Sequence, residues 1–238
     1  MLRRWTRSPR SPGSWITTTT QSFSGLVYGL VWRRWSSSGT IGEDTPPPIV
    51  LDAEALRSMA ALGEWWTGAS RPAVLTPHPG EFARLRAGEG EPDDGDGDLV
   101  GDDSARATAA RAAAARWGHV VVLKGARTVI ADPDGQLAVA PFENPALATG
   151  GTGDVLAGVI GALLAQGLSP FVAACVGVYL HGMAGDIVRE RLGDAGLLAS
   201  DLCDALPIAR KRLAAIAERE RGGKRLGFVV RAPDPAES

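Results

Sequence analysis

Residues 144–167 read NPALATGGTGDVLAGVIGALLAQG, and this stretch decides the fold. Leu156, Val159, Ile160, Leu163 and Leu164 recur at helical spacing, which predicts a helix with one face in a core. Ala157, Gly158 and Gly161 lie on the same segment, and residues this small let a second element pack close. Ahead of the helix stand Gly150, Gly151 and Gly153, which remove Cβ atoms where the backbone must approach something. The first N–H groups of a helix lack intrahelical acceptors, and the helix dipole adds partial positive charge beside them. Glycines leading into such an end predict an anion site at Gly150, Gly151, Thr152 and Gly153.

Asp154 stands inside that site. A carboxylate at a helix start is stabilised by the dipole by roughly 0.3–1 kcal/mol, so a lone Gly-Asp pair would read as a cap. Three glycines ahead of it favour a catalytic base beside bound phosphate. There the amides hold the transferring group while Asp154 takes a proton from the attacking hydroxyl. Two familiar phosphate loops do not fit. A P-loop needs Gly-Lys-Ser/Thr, and a dinucleotide fingerprint needs a third glycine where Leu156 stands.

GGTGDVLAG resembles the anion-hole motif of the ribokinase-like superfamily, and ATGGTGDVLAGVIGALLAQG resembles one branch of it, the ADP-dependent NAD(P)H-hydrate dehydratases. TPHPGEFARL at residues 76–85 and VVLKGARTVI at residues 121–130 match the same branch in the same order. The resemblance covers residues 49–206 and implies an α/β fold, a ribokinase-like three-layer α/β/α sandwich with a mostly parallel sheet. Alternation of short apolar runs with helical patterns supports that class independently.

Charge and composition divide the chain. Its 238 residues suit one α/β domain with a sizeable core. The formal net charge is −2, but residues 1–39 hold six Arg and no Asp or Glu, so the remainder carries −8. Neither nucleic acid nor a membrane surface is expected as a partner. Residues 1–45 form an atypical Arg/Ser/Thr/Trp-rich segment without lasting periodicity, and they carry four of the seven Trp. A signal peptide fits poorly, because the apolar patch at residues 25–32 is short and Arg33-Arg34 follows it. The resembled family has a Gly-rich substrate-binding turn at this place, and none is legible here. The segment therefore reads as truncated or aberrant, and the chain is expected to bind nucleotide but to lack part of the substrate wall. Residues 46–230 read as the ribokinase-like domain. Cys175 and Cys203 are too few for a disulfide framework, which fits a reduced cytoplasmic compartment.

From residue 49 the pattern is orderly. Ile49, Val50 and Leu51 form a buried strand ending at Asp52, which either lines a site at the carboxyl edge of the sheet or caps the next helix. Residues 73–76 form the next strand and run into Pro77-His78-Pro79-Gly80-Glu81. Two prolines clamp the backbone around His78, which favours substrate contact, with a structural histidine as the alternative. Glu81 is expected to open a helix at residues 82–87 and could aid a metal through water. Residues 88–103 are acidic and of low complexity, and they lack the order of a calcium loop. An Ala-rich helix at 105–117 and a strand at 120–123 then deliver Lys124, Gly125, Ala126, Arg127 and Thr128. An ammonium and adjacent amides at a strand end can meet phosphate. The alternative is a hairpin turn carrying one solvated Lys. Beyond the central helix, Ser169-Pro170 opens a second, with Val172, Cys175, Val176, Tyr179, Leu180 and Met183 as its core stripe and His181 structural. Each apolar run falls well short of the roughly twenty residues of a membrane span.

The resemblance also implies the chemistry. The reaction is ADP-driven dehydration of the S-epimer of NADHX or NADPHX to NADH or NADPH, with release of AMP and phosphate. Asp154 and His78 would contact substrate, with Asp154 as base, and residues 124–128 with Gly153 would bind nucleotide. Mg²⁺ would assist, ADP would donate the phosphoryl group, and a homo-oligomer is expected, with a homotetramer as its candidate form. No separate metal-ligand cluster is visible. A kinase for a small hydroxylated substrate, or a nucleotide-binding remnant without turnover, are the competing readings.

Overall fold

A computed structural model describes residues 47–68, 71–87 and 103–220. The N-terminal segment and the acidic stretch at 88–102 lie outside the described residues. Five strands form one sheet in sequence order: β1 (Ile49–Leu51), β2 (Ala73–Leu75), β3 (Val120–Leu123), β4 (Val129–Ala131) and β5 (Leu137–Val139). β1, β2 and β3 are parallel, while β3–β4 and β4–β5 are antiparallel hairpins. Both connections after β3 are short, and short connections join antiparallel strands.

Side chains alternate along every strand and divide the core. Leu75, Val121, Leu123, Val129, Ala131 and Leu137 face one cluster, whose helical side comprises Leu56, Phe82, Leu85 and the alanine face of α3. Val50, Val74, Val120, Val122, Ile130 and Ala138 face the other, built on Leu156, Ile160 and Leu164. Helices α1 (Glu54–Ala60), α2 (Pro79–Ala87) and α3 (Asp103–Trp117) therefore cover one side of the sheet. α4 (Thr152–Ala165) and α5 (Pro170–Leu192) cover the other, with α6 (Ala199–Glu220) packed behind them. The result is a three-layer α/β/α sandwich whose sheet is mixed.

Four expectations are corrected. α2 begins at Pro79 rather than at residue 82, because proline suits the first helical position. The face of α5 turned to α4 and the sheet carries the small residues Ala173, Ala174 and Gly177 together with Val178, while Val172 is exposed. Bulk marks the side facing α6 instead, where Leu180 and Met183 are buried. The close helix approach also comes from Gly177 rather than Gly158, which faces open space. A Cβ on Gly177 would lie 2.6 Å from Ile160 Cγ1. Finally, α5 runs 23 residues with mean hydropathy 1.6 in its most apolar window, long and apolar enough to cross a membrane. Here it is a core helix, with 61% of that window buried by its neighbours.

Candidate active site

The carboxyl ends of β1, β2 and β3 are tied together beyond the strands themselves. Thr76 N–H donates to Leu51 O at 3.0 Å, and Lys124 N–H donates to Pro77 O at 2.8 Å. This brings Asp52, His78 and Lys124 to one edge, opposite the start of α4. Between them lies a cavity of about 730 Å³, lined among others by Asp52, His78, Lys124, Thr128, Asp154 and His181. Gly125, Ala126, Gly150, Gly151, Thr152 and Gly153 border it as well.

The glycine loop is shaped by its own backbone. Gly151 precedes α4 with φ 88°, a left-handed conformation that glycine adopts without strain. Thr152 N–H is taken by Thr149 O at 3.3 Å, and its hydroxyl turns inward to Leu147 O at 2.7 Å and Thr149 O at 2.8 Å. Among the described residues the amides of Gly150, Gly151, Gly153 and Asp154 have no acceptor. Thr152 thus braces the loop, and the amide of Asp154 takes its place among the open donors. The Asp154 side chain is exposed and takes no hydrogen bond from the described residues.

Lys124 is not a solvated turn residue. Its Nζ lies 2.9 Å from Asp52 Oδ1 and 3.7 Å from Glu81 Oε2, and both carboxylates are buried. Asp52 does not cap α1 with its side chain, since the cap position is Ala53 and carries no side-chain bond. A Cβ on Gly153 would sit 3.4 Å from Lys124 Nζ, so the ammonium stands against the anion loop.

His78 and Glu81 form a reciprocal cap at the start of α2. Gly80 N–H donates to His78 Nδ1 at 3.1 Å, and His78 N–H donates to Glu81 Oε2 at 2.9 Å. This is a capping box with imidazole in the serine position. Nδ1 is the acceptor, so the neutral ring carries its proton on Nε2. His78 is half exposed and borders the cavity, and its Nε2 stands 3.7 Å from Glu81 Oε1.

The hairpin loop after Lys124 has an unforeseen support. Arg106 of α3 is buried, and its guanidinium donates to the carbonyls of Ala126 and of Leu123, the latter at 3.0 Å. Burial pushes its pKa below the ordinary value, opposed by Asp103 and reinforced by Arg127. Gly125 sits at φ 154° with the guanidinium where a Cβ would be, 2.6 Å from Nη2. Arg127 turns away from the cavity to pair with Asp103. The buried positions of α3 are 106, 110, 113, 114 and 117, one helical stripe. An arginine continuing an alanine stripe was the signal that could have found Arg106.

His181 is buried on α5, and its Nε2 donates to Thr152 O at 2.9 Å. Desolvation pulls its pKa down to about 4; the bond to Thr152 opposes this and Lys124 reinforces it. The ring is neutral at pH 7. Cys175 is no nucleophile, since burial raises its thiol to about 12.

Residues 40–208 match the family profile of the NAD(P)H-hydrate dehydratases, across well over half of the chain. The chain belongs to this family. It is 43% identical over 180 residues to the ADP-dependent (S)-NAD(P)H-hydrate dehydratase of Neisseria meningitidis serogroup B, covering 74% of this chain and 57% of that one. A crystal structure of the ADP/ATP-dependent NAD(P)H-hydrate dehydratase of Bacillus subtilis, co-crystallised with ATP/Mg²⁺, superposes with a TM-score of 0.53 at 42% identity. That match covers 60% of this chain and 49% of the other. A ribokinase-like superfamily protein of Enterococcus faecalis superposes with a TM-score of 0.50 at 29% identity, covering 69% and 52%. The fold is ribokinase-like. The chain spans about half the length of these family relatives.

Proposed function

We propose that this chain dehydrates (S)-NAD(P)H hydrate with ADP, yielding NAD(P)H, AMP and phosphate. The carrying observation is the pairing of four acceptor-free amides with an uncommitted carboxylate at the mouth of one cavity. Hydroxide is a poor leaving group, so the hydroxyl must first become a phosphate ester. Asp154 takes the hydroxyl proton, the oxygen attacks the β-phosphorus of ADP, and the bond to the AMP oxygen breaks. Charge on the transferring group falls on the amides of Gly150, Gly151, Gly153 and Asp154, where fixed dipoles cost no reorganisation. Phosphate then leaves with the former hydroxyl oxygen, a proton leaves the neighbouring carbon, and the double bond returns.

Lys124, Gly125, Ala126 and Thr128 border the same cavity and would hold the nucleotide phosphates. His78, half exposed at the cavity, would contact the hydrate. Among the described residues no group of three ligands could hold a metal ion, and Asp52 and Glu81 already face Lys124. Mg²⁺ is therefore proposed to arrive with the nucleotide, whose phosphates supply the ligands that the protein does not. We extend the reading to a homo-oligomer in solution, which light scattering would test.

The decisive assay supplies ADP and NADHX to the purified chain and follows NADH absorbance with AMP release. One AMP per NADH is expected. Accumulation of a stable phosphorylated alcohol would instead indicate a kinase, and AMP without NADH would refute the dehydration step.

A further inference from the structure

We propose that residues 181–186 of α5, HGMAGD, are the template on which the anion loop is set, with His181 and Asp186 as positioning residues. The proposal rests on the anion-site reading above and extends it to the residues behind the loop that hold it in shape.

Four side-chain positions on α5 meet the segment from Phe142 to Thr152, at spacings i, i+1, i+4 and i+5. Such a set lies on one face of a helix over two successive turns. His181 Nε2 donates to Thr152 O at 2.9 Å. Gly182 yields its place to Phe142, whose ring would stand 2.4 Å from a Cβ there. Gly185 does the same for Leu147, 2.8 Å from a Cβ. Asp186 Oδ1 accepts from Asn144 Nδ2 at 3.1 Å.

The last contact carries an orientation. A carboxylate only accepts, so it draws the amino group of Asn144 towards itself and turns Oδ1 the other way. That oxygen accepts from Ala146 N–H at 3.0 Å and opens the 3-10 turn Pro145–Ala148. The turn's carbonyls in turn receive Thr149 Oγ1 at 3.0 Å and Thr152 Oγ1 at 2.7 Å. The side chains of Asn144, Thr149 and Thr152 and the carbonyl of Thr152 are thereby tied to α5 or to the turn. The amides of Gly150, Gly151, Gly153 and Asp154 are what remains open.

The test compares the unmodified chain with Asp186→Ala, Asn144→Asp, and the swap Asn144→Asp/Asp186→Asn. The swap keeps both hydrogen bonds, exchanging donor and acceptor only between positions 144 and 186, while Asn144→Asp alone opposes two carboxylates. Hydrogen–deuterium exchange over residues 144–154 and calorimetric ADP affinity are the readouts. Both single variants should exchange faster in that segment with the strand amides unchanged. They should also bind ADP more weakly, on the order of tenfold. The swap should recover both. Wild-type exchange and affinity in Asp186→Ala would overturn the proposal, as would a swap that behaves as the sum of its parts. Should Asp186→Ala fail to fold, the Asn144→Asp and swap pair decides. If the unmodified chain binds no ADP, the anion-site reading falls, and the exchange measurements alone judge the template.

Discussion

Asp154 and His181 lie on facing helices at one cavity, and their surroundings give them opposite tasks. Asp154 is exposed and without a partner among the described residues, so it is free to exchange a proton. Asp154→Asn should lower turnover by about 10²–10⁴-fold while ADP affinity stays near normal, measured by steady-state kinetics and calorimetry. Near-normal rates would return this residue to a mere helix-start role. His181 has its pKa lowered to about 4 from an ordinary 6.5. Its unfolded form thus binds the proton that its folded form refuses. That stability contribution is complete above pH 6.5 and is lost as pH falls towards 4, a window worth about 3 kcal/mol. Urea denaturation of the protein and of His181→Gln across that window should show a shallower pH slope in the variant. Lys124→Ala should cost about 3 kcal/mol, because it strands the buried Asp52 and Glu81 carboxylates, and it should weaken ADP binding. Unchanged urea midpoints and ADP affinity would reduce the residue to part of a turn.

Packing between α4 and α5 shows the same logic one level up. Small residues on α5, not bulk, set how closely the two helices approach, and α5 in turn carries the contacts that hold the anion loop. Gly177→Ala should destabilise the protein by about 1–3 kcal/mol, since its Cβ would meet Ile160 and neither helix can move freely between sheet and α6. Turnover well below the melting temperature should be little changed, because Gly177 lies away from the loop. Thermal melts and kinetics on one preparation would check both halves of that expectation. A drop in turnover with an unchanged melt would mean that the interface governs the site rather than the scaffold. The support of the hairpin loop by Arg106 belongs to this level too. Its acceptors, Leu123 O and Ala126 O, lie at the end of β3 and in the loop that follows, and a helix propensity for Ala-rich sequence says nothing of them.

For the whole molecule, nucleotide binding and folding are linked. A ligand that binds only the folded state adds stability of about 2.7 kcal/mol at one hundred times its dissociation constant. For a domain of this size ADP should therefore raise the melting temperature by roughly 5–10 °C. Asp154→Asn should show nearly the full shift and Lys124→Ala a reduced one. No shift in the unmodified chain, at ADP concentrations that saturate the relatives, would remove nucleotide from the proposed function.

The order of strands and helices apart from β5, the glycine loop before α4 and the hairpin after Lys124 were legible from sequence, because each depends on local signals. Side-chain period, glycine where φ must be positive, and proline at a helix start are such signals, and they act over a few residues. Only the tertiary structure decided that Lys124 lies between Asp52 and Glu81, residues 72 and 43 positions away along the chain. It also decided that Arg106 holds the KGART loop, that Thr152 turns inward, and that HGMAGD faces the anion loop. Burial makes each of these contacts strong. It is a property of the folded whole, and no window of neighbouring residues contains it.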